Sequence, residues 1–121
     1  MQRLSCPDAY SEIMSRLGNT SQFPEEYQNR LQVLKEAGSE FEVYMDVLDV
    51  SEVSSDILKQ VIGAKGCYFI KTTQTYDLDF VWHNTGTKGI EFWGPNKNSI
   101  IKAMKLINSR IERHMKEQNK E

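Results

Sequence analysis

The stretch that most constrains this chain runs over residues 58–71 and reads LKQVIGAKGCYFIK. Gly63 and Gly66 bracket Ala64 and Lys65; one apolar run ends at Ile62 and another begins at Cys67. Two helix-like segments therefore meet at a hinge with a glycine at each end. Glycine adopts positive φ without strain and lets another group come close to the backbone. Amide groups at the start of the next helix attract anions. A glycine pair at this spacing equally suits a plain helix–helix turn, so its neighbours decide between the two.

A chain of 121 residues fits one domain with an appendage and can bury a real core. The hydrophobic fraction of 39% is low, but 10% aromatic residues argue against disorder throughout. No apolar run approaches the roughly 18 residues of a membrane span. No basic flank and apolar core of a secretory signal opens the sequence. Cys6 and Cys67 have no second pair, which excludes a cysteine-built zinc cluster and disfavours a disulfide framework. An intracellular setting, cytoplasm or nucleus, is the expectation, with no membrane partner.

The net charge of −2 hides an asymmetry. Residues 1–60 carry 5 Lys and Arg against 11 Asp and Glu, whereas residues 61–121 carry 10 against 6. The basic half begins at the glycine hinge. That placement suits an anionic partner for the second half, although lysine-rich helix faces also serve solubility.

In chain order, residues 7–17 predict an amphipathic helix with Tyr10, Ile13, Met14 and Leu17 on one face, capped by Ser5 and stopped at Gly18 and Asn19. Pro24 opens a second helix to about Ala37, with Tyr27, Leu31 and Leu34 as its stripe. Neither is long enough to stand alone in water, so both must dock. Residues 41–47 alternate as a half-buried strand, with Phe41, Val43, Met45 and Val47 on one face. Ser54 or Ser55 caps a helix ending at Ile62; after the hinge a further helix covers residues 67–75. Residues 80–83 and 90–93 predict a hairpin, with Phe80, Trp82, Ile90 and Phe92 inward and Val81, His83, Glu91 and Trp93 outward. The final helix starts near Asn98 and runs to about His114 or beyond on a stripe of Ile100, Ile101, Met104, Ile107 and Ile111. The expected division is a helical extension over residues 1–39, a folded unit over 40–114 and a frayed tail over 115–121.

This order of elements, strand–helix–GxxG–helix–strand–loop–strand–helix, resembles the type I K-homology (KH) domain over about residues 41–111. VIGAKG is similar to the family's I-I-G-x-x-G, with Val61 and Ile62 at the paired apolar positions. Phe69 falls where the family packs an isoleucine behind its groove. Phe80 and Trp82 fall on its I-x-I strand, Ile90, Phe92 and Gly94 on its V-x-I-x-G, and Ile100 and Ala103 at the opening of its last helix. Thr72 departs from an apolar position, and Asp77 stands where a turn glycine is common.

The resemblance implies an α+β fold: a three-stranded antiparallel sheet with three helices on one face, here with two extra N-terminal helices. It also implies a non-enzymatic module that grips about four nucleotides of single-stranded RNA or DNA at the GxxG loop, without a cofactor. On this resemblance Gly63, Ala64, Lys65 and Gly66 pass the sugar–phosphate backbone, and Lys71 and Lys88 add charge at the groove edges. Leu58, Val61, Ile62 and Phe69 form the floor, and Tyr68 either stacks on a base or packs against the strand. His83 is expected on the far side of the sheet. There Tyr44, Val81, His83 and Trp93 form an apolar face that either receives the two N-terminal helices or pairs two chains as a homodimer.

The alternative function is a structural, dimerisation or protein-interaction module of the same shape without nucleic acid. It draws on Thr72, the acidic first half and the scarcity of base-reading side chains. Enzyme chemistry finds no support in the residues. Cys67 reads as a small buried residue with neither histidine placed beside it by sequence. Asp77 and Asp79 would point to opposite faces of an extended segment, so no metal site is expected.

Overall fold

A computed structural model describes residues 1–17 and 24–118 of the chain. The stop expected at Gly18 and Asn19, and residues 119–121 of the expected tail, lie outside the described residues. The order of elements is β1 (Gln2–Ser5), α1 (Cys6–Leu17), α2 (Glu25–Glu36), β2 (Glu42–Asp49), α3 (Ser55–Ile62), a 3₁₀ turn (Ala64–Gly66), α4 (Cys67–Tyr76), β3 (Phe80–Asn84), β4 (Gly89–Gly94) and α5 (Lys97–Gln118). The fold is α+β.

The sheet has four antiparallel strands rather than the expected three, in the order β1-β2-β4-β3. The extra strand is β1, too short to announce itself by alternation. Leu4 lies opposite Val43, and Gln2 opposite Met45. The hairpin from β3 to β4 pairs Asn84 with Gly89, so its loop is shorter than expected. Lys88 ends that loop at φ 58°.

Both faces of the sheet are covered. On one, Val81, Ile90 and Phe92 pack with Ile57, Leu58 and Val61 of α3, Phe69 of α4, and Ile100, Ala103, Ile107 and Ile111 of α5. On the other, Val43, Met45, Phe80 and Trp93 pack with Ala9 and Ile13 of α1 and with Tyr27, Leu31 and Leu34 of α2. Each fully buried Val, Leu, Ile, Met or Phe side chain among them contributes about 1.5–3 kcal/mol. In α5, Ala103 takes the buried place that Ile101 was expected to hold, and Ile101 is exposed. The helix also continues past His114 to Gln118.

Strand β3 sits in the opposite phase to the expected one. Phe80 pairs with Trp93, on the α1–α2 side; Val81 pairs with Phe92 and His83 with Ile90, on the α3–α5 side. Side chains alternate with a period of two, so a one-residue change of phase transfers every side chain to the other face. Of the four residues expected on the far face, Trp93 alone lies there; Tyr44 packs against the α3–α5 core, and Val81 and His83 share that side. The far face is not open. The N-terminal helices fold over it and bury Val43, Met45, Phe80 and Trp93 within the chain, while Val47 of β2 stays exposed.

Two ionic clamps hold these helices down, and in each the acid is fully buried. Glu91 accepts from Arg16 Nη1 of α1 at 2.7 Å, from Asn84 Nδ2 at 3.0 Å and from Trp93 Nε1 at 3.2 Å. Asp79 pairs with Arg30 Nε of α2. The Asp79 side chain has no exposure, whereas that of Arg30 is 43% exposed. Burial pushes the Asp79 carboxyl above its ordinary value, and Arg30 beside it offsets this only in part. Removing one member of a buried pair leaves an uncompensated charge, at a cost of about 3–5 kcal/mol when that charge cannot reach water. Arg30→Met is therefore expected to destabilise the fold far more than Asp79→Asn, which leaves a cation that solvent can reach. A folded pKa above the unfolded one means that the folded chain takes up the proton first. The Arg30→Met deficit should accordingly shrink as pH falls through the raised pKa of Asp79. Urea denaturation of both variants across mildly acidic to neutral pH measures this.

Candidate functional site

The glycine turn is built by its neighbours. Ser54 caps α3 by accepting the Ile57 amide at 3.3 Å. The helix ends where Gly63, at φ 83° and ψ 167°, takes a conformation closed to other residues. Lys65 at φ 56° and Gly66 at φ 76° complete the left-handed passage into α4. Gly63 is also sterically required, because a Cβ there would lie 2.6 Å from Tyr68 Cδ2 and 2.7 Å from Cys67 Sγ. Gly66 faces open space. The hinge thus has one glycine fixed by packing and conformation and one fixed by conformation alone.

The turn divides two depressions. The first, about 770 Å³, lies between Ile62, Lys65, Gly66 and Phe69 on one side and Val81, Trp82 and His83 of β3 on the other. Its lining is largely apolar and includes Pro24 and Tyr27. The second, about 640 Å³, lies behind the turn, against Gly63, Ala64 and Tyr68, with Lys59 of α3 and Arg110, Arg113 and His114 of α5.

The predicted site residues therefore separate. Ile62, Lys65, Gly66 and Phe69 meet in the first groove, as expected. Gly63, Ala64 and Tyr68 look into the second cleft, and Tyr68 is 48% exposed. Leu58 and Val61 are core residues; Val61 reaches the wall of the second cleft and Leu58 lines neither depression. Lys71 and Lys88 are exposed and line neither. Cys67, expected buried, is exposed, because it sits in the first turn of α4 on its outer side.

His83 was expected away from the groove and lines it, a consequence of the phase of β3. Burial holds its imidazole below the ordinary histidine value, so it is neutral at pH 7, with one nitrogen to donate and one to accept. Thr72 is buried without penalty, since its hydroxyl donates to the Tyr68 carbonyl at 2.8 Å. Asp77 takes the left-handed position that ends α4, at φ 55°. Asp79 is the buried partner of Arg30.

Sequence patterning does not reveal Tyr27 as a groove residue. Strand β3 is an edge strand, and its outer edge faces the groove. The Tyr27 hydroxyl donates to the Val81 carbonyl at 2.8 Å and accepts from the Val81 amide at 3.3 Å. Its ring meets Phe80 edge-on, with centroids 5.4 Å apart. Burial pushes the phenol up to about 12, so it stays a neutral donor and acceptor. Backbone groups alternate in direction along a strand, which turns the amide and carbonyl of His83 to the same open edge. Among the described residues, no group of three or more His, Cys, Asp or Glu side chains is placed to hold a metal ion, and no helix is long and apolar enough to cross a membrane.

Two measurements check this geometry. Gly63→Ala should lose about 2–3 kcal/mol, from strained backbone plus the clash with Tyr68, and Gly66→Ala about 1 kcal/mol, from backbone alone; equal losses would contradict the packing. In an NMR titration the His83 ring should protonate below about 6.5, the ordinary histidine value. Because its folded pKa is lowered, its contribution to stability is present above that value and is lost as pH falls through it.

No protein-family model matches the chain, and neither a curated protein nor a solved structure matches it, so the site is read from its geometry.

Proposed function

We propose that the chain is a KH-like module of the type I arrangement that binds single-stranded RNA, or single-stranded DNA, in the groove between the glycine turn and the edge of β3. One observation carries this reading: a backbone turn with a lysine at its tip lies across an apolar floor from the His83 end of an edge strand, where the histidine is neutral. Each side of that groove suits one part of a nucleotide. Lys65 and the adjacent backbone suit a phosphate, which needs a point charge and close approach. Ile62 and Phe69 suit the flat face of a base. The His83 ring and its strand-edge amide and carbonyl suit the hydrogen-bonding edge of a base, which in a single strand is free to be read.

In the KH-like frame, β2, β4 and β3 supply the three-stranded core sheet and α3, α4 and α5 its helices. The segment from β1 to α2 then lies outside that frame, completes the core on the far face and reaches round to the groove. The Tyr27 hydroxyl already occupies the edge groups of Val81, so base reading is confined to the His83 end. A groove shortened in this way, with one lysine at the turn, supports micromolar-class affinity for a lone module, raised only by a linked partner. The same occupancy by Tyr27 favours a second reading, a protein-interaction module that keeps the shape without nucleic acid. The exposed thiol of Cys67 suits a reducing, intracellular setting for either.

Fluorescence anisotropy with random-sequence single-stranded RNA and DNA pools separates the two. Ala64 and Lys65 are exposed, and aspartate tolerates the left-handed conformation of Lys65, so Ala64→Asp with Lys65→Asp should fold normally. The double variant should lose at least about tenfold in affinity, with a shallower salt dependence. Unchanged binding would rule out the groove, and no binding by the unaltered chain would favour the second reading.

A further inference from the structure

We infer that the cleft behind the glycine turn is a second phosphate site, which takes the sugar–phosphate backbone of a single strand after it has crossed the turn. The inference rests on the groove reading above and adds to it a separate surface. Lys59 of α3 and Arg110, Arg113 and His114 of α5 converge on this cleft from two helices. Glu117 is its one acid, with a carboxylate oxygen 3.7 Å from His114 Nδ1. In a chain of net charge −2, such a convergence does not follow from composition. Positions 110, 113 and 114 are spaced i, i+3, i+4, so they share one face of α5 and span about 6 Å of its axis.

A solvated helix face accounts for Lys102 and Lys105, which are exposed outside the cleft. It does not account for Arg110. That side chain is half-buried, and its guanidinium lies over the ring of Tyr68, with Cζ 5.8 Å from the centroid. This cation–π contact holds the guanidinium beside the ring and leaves N–H groups available for a phosphate contact. The ring belongs to α4 immediately after the turn, so the cation is tied to the loop that the groove uses.

Phosphodiester is favoured over an acidic peptide by the shared wall. Gly63 and Ala64 face the cleft, whereas Lys65 and Gly66 face the groove. The two depressions therefore lie on the two sides of one short turn. A polymer with a charge at every step can place phosphates on both sides as it crosses, and the exposed Tyr68 lies beside that crossing as a stacking platform for a base.

The test compares random-sequence RNA tetramers and decamers on the full chain. Tetramer binding is followed by NMR shifts of Lys65 and His83, and decamer binding by anisotropy across a salt series. The unaltered chain should bind decamers about tenfold or more tightly than tetramers. Arg110→Gln with Arg113→Gln should remove most of that gain and flatten the salt slope by about 1.4, while the tetramer shifts stay unchanged. Lys59→Gln with Arg113→Gln leaves the Tyr68 stack intact and should weaken decamers in the same direction, which guards against a folding artefact. Decamer affinity in both variants equal to that of the unaltered chain would overturn the second site and leave the groove standing. Absence of tetramer and decamer shifts at Lys65 and His83 would instead remove the groove reading and this inference with it. Displacement of the decamer from the cleft by an equal concentration of a glutamate decapeptide would identify an acidic-peptide surface and overturn the proposal.

Discussion

Strand β4 is buried on both faces along its whole length, and the rest of the molecule is arranged to satisfy that condition. Ile90 and Phe92 face α3, α4 and α5, while Glu91 and Trp93 face α1 and α2. A strand of this kind must have an apolar layer on each side, and any ion it carries must find its partner inside. Glu91 meets the second demand through Arg16, Asn84 and the Trp93 indole, which together occupy both carboxylate oxygens. The segment from β1 to α2 is thus the second half of the core rather than an attachment to it. Taking it away would expose Val43, Met45, Phe80 and Trp93 together and strip Glu91 and Asp79 of their cations.

That double layer has a consequence at the groove. Because α2 must reach the sheet, it runs beside the edge of β3, and Tyr27 caps Val81 there. The cap spares an edge strand from presenting unpaired backbone groups, which would otherwise invite pairing with another chain. It also removes from any ligand the very groups that an edge strand would lend to recognition. His83 remains as the open end of the strand, with a ring kept neutral by partial burial. Core packing and the reach of the site are therefore linked through one phenol.

The glycine turn works as a partition. Its conformation is imposed by the abrupt change of direction between α3 and α4, and Gly63 is further held by Tyr68 and Cys67. An apolar groove with one lysine lies on one side, and a cleft with a lysine, two arginines and a histidine on the other. The two differ in chemistry because they borrow different partners: an edge strand for the groove, the last turns of α5 for the cleft.

How much of this was legible in the residues follows from the range of the interactions involved. Local periodicity is short-range, so α3, α4, α5, β2 and the turn between Gly63 and Gly66 can be read directly. The phase of β3 could not, because Phe80, Val81, Trp82 and His83 can all be buried and alternation has no meaning when both faces of a sheet are covered. Nor could β1, whose four residues owe their strand conformation to β2. The buried charges at Asp79 and Glu91 look like surface residues until Arg30 and Arg16 arrive from more than forty and seventy positions away. By itself the sequence determined where the backbone turns and which helix faces are apolar. Tertiary structure alone decided which side of β3 carries His83, that Tyr27 closes the groove, and that Arg110 and Arg113 stand behind the turn, since each depends on contacts between segments far apart in the chain.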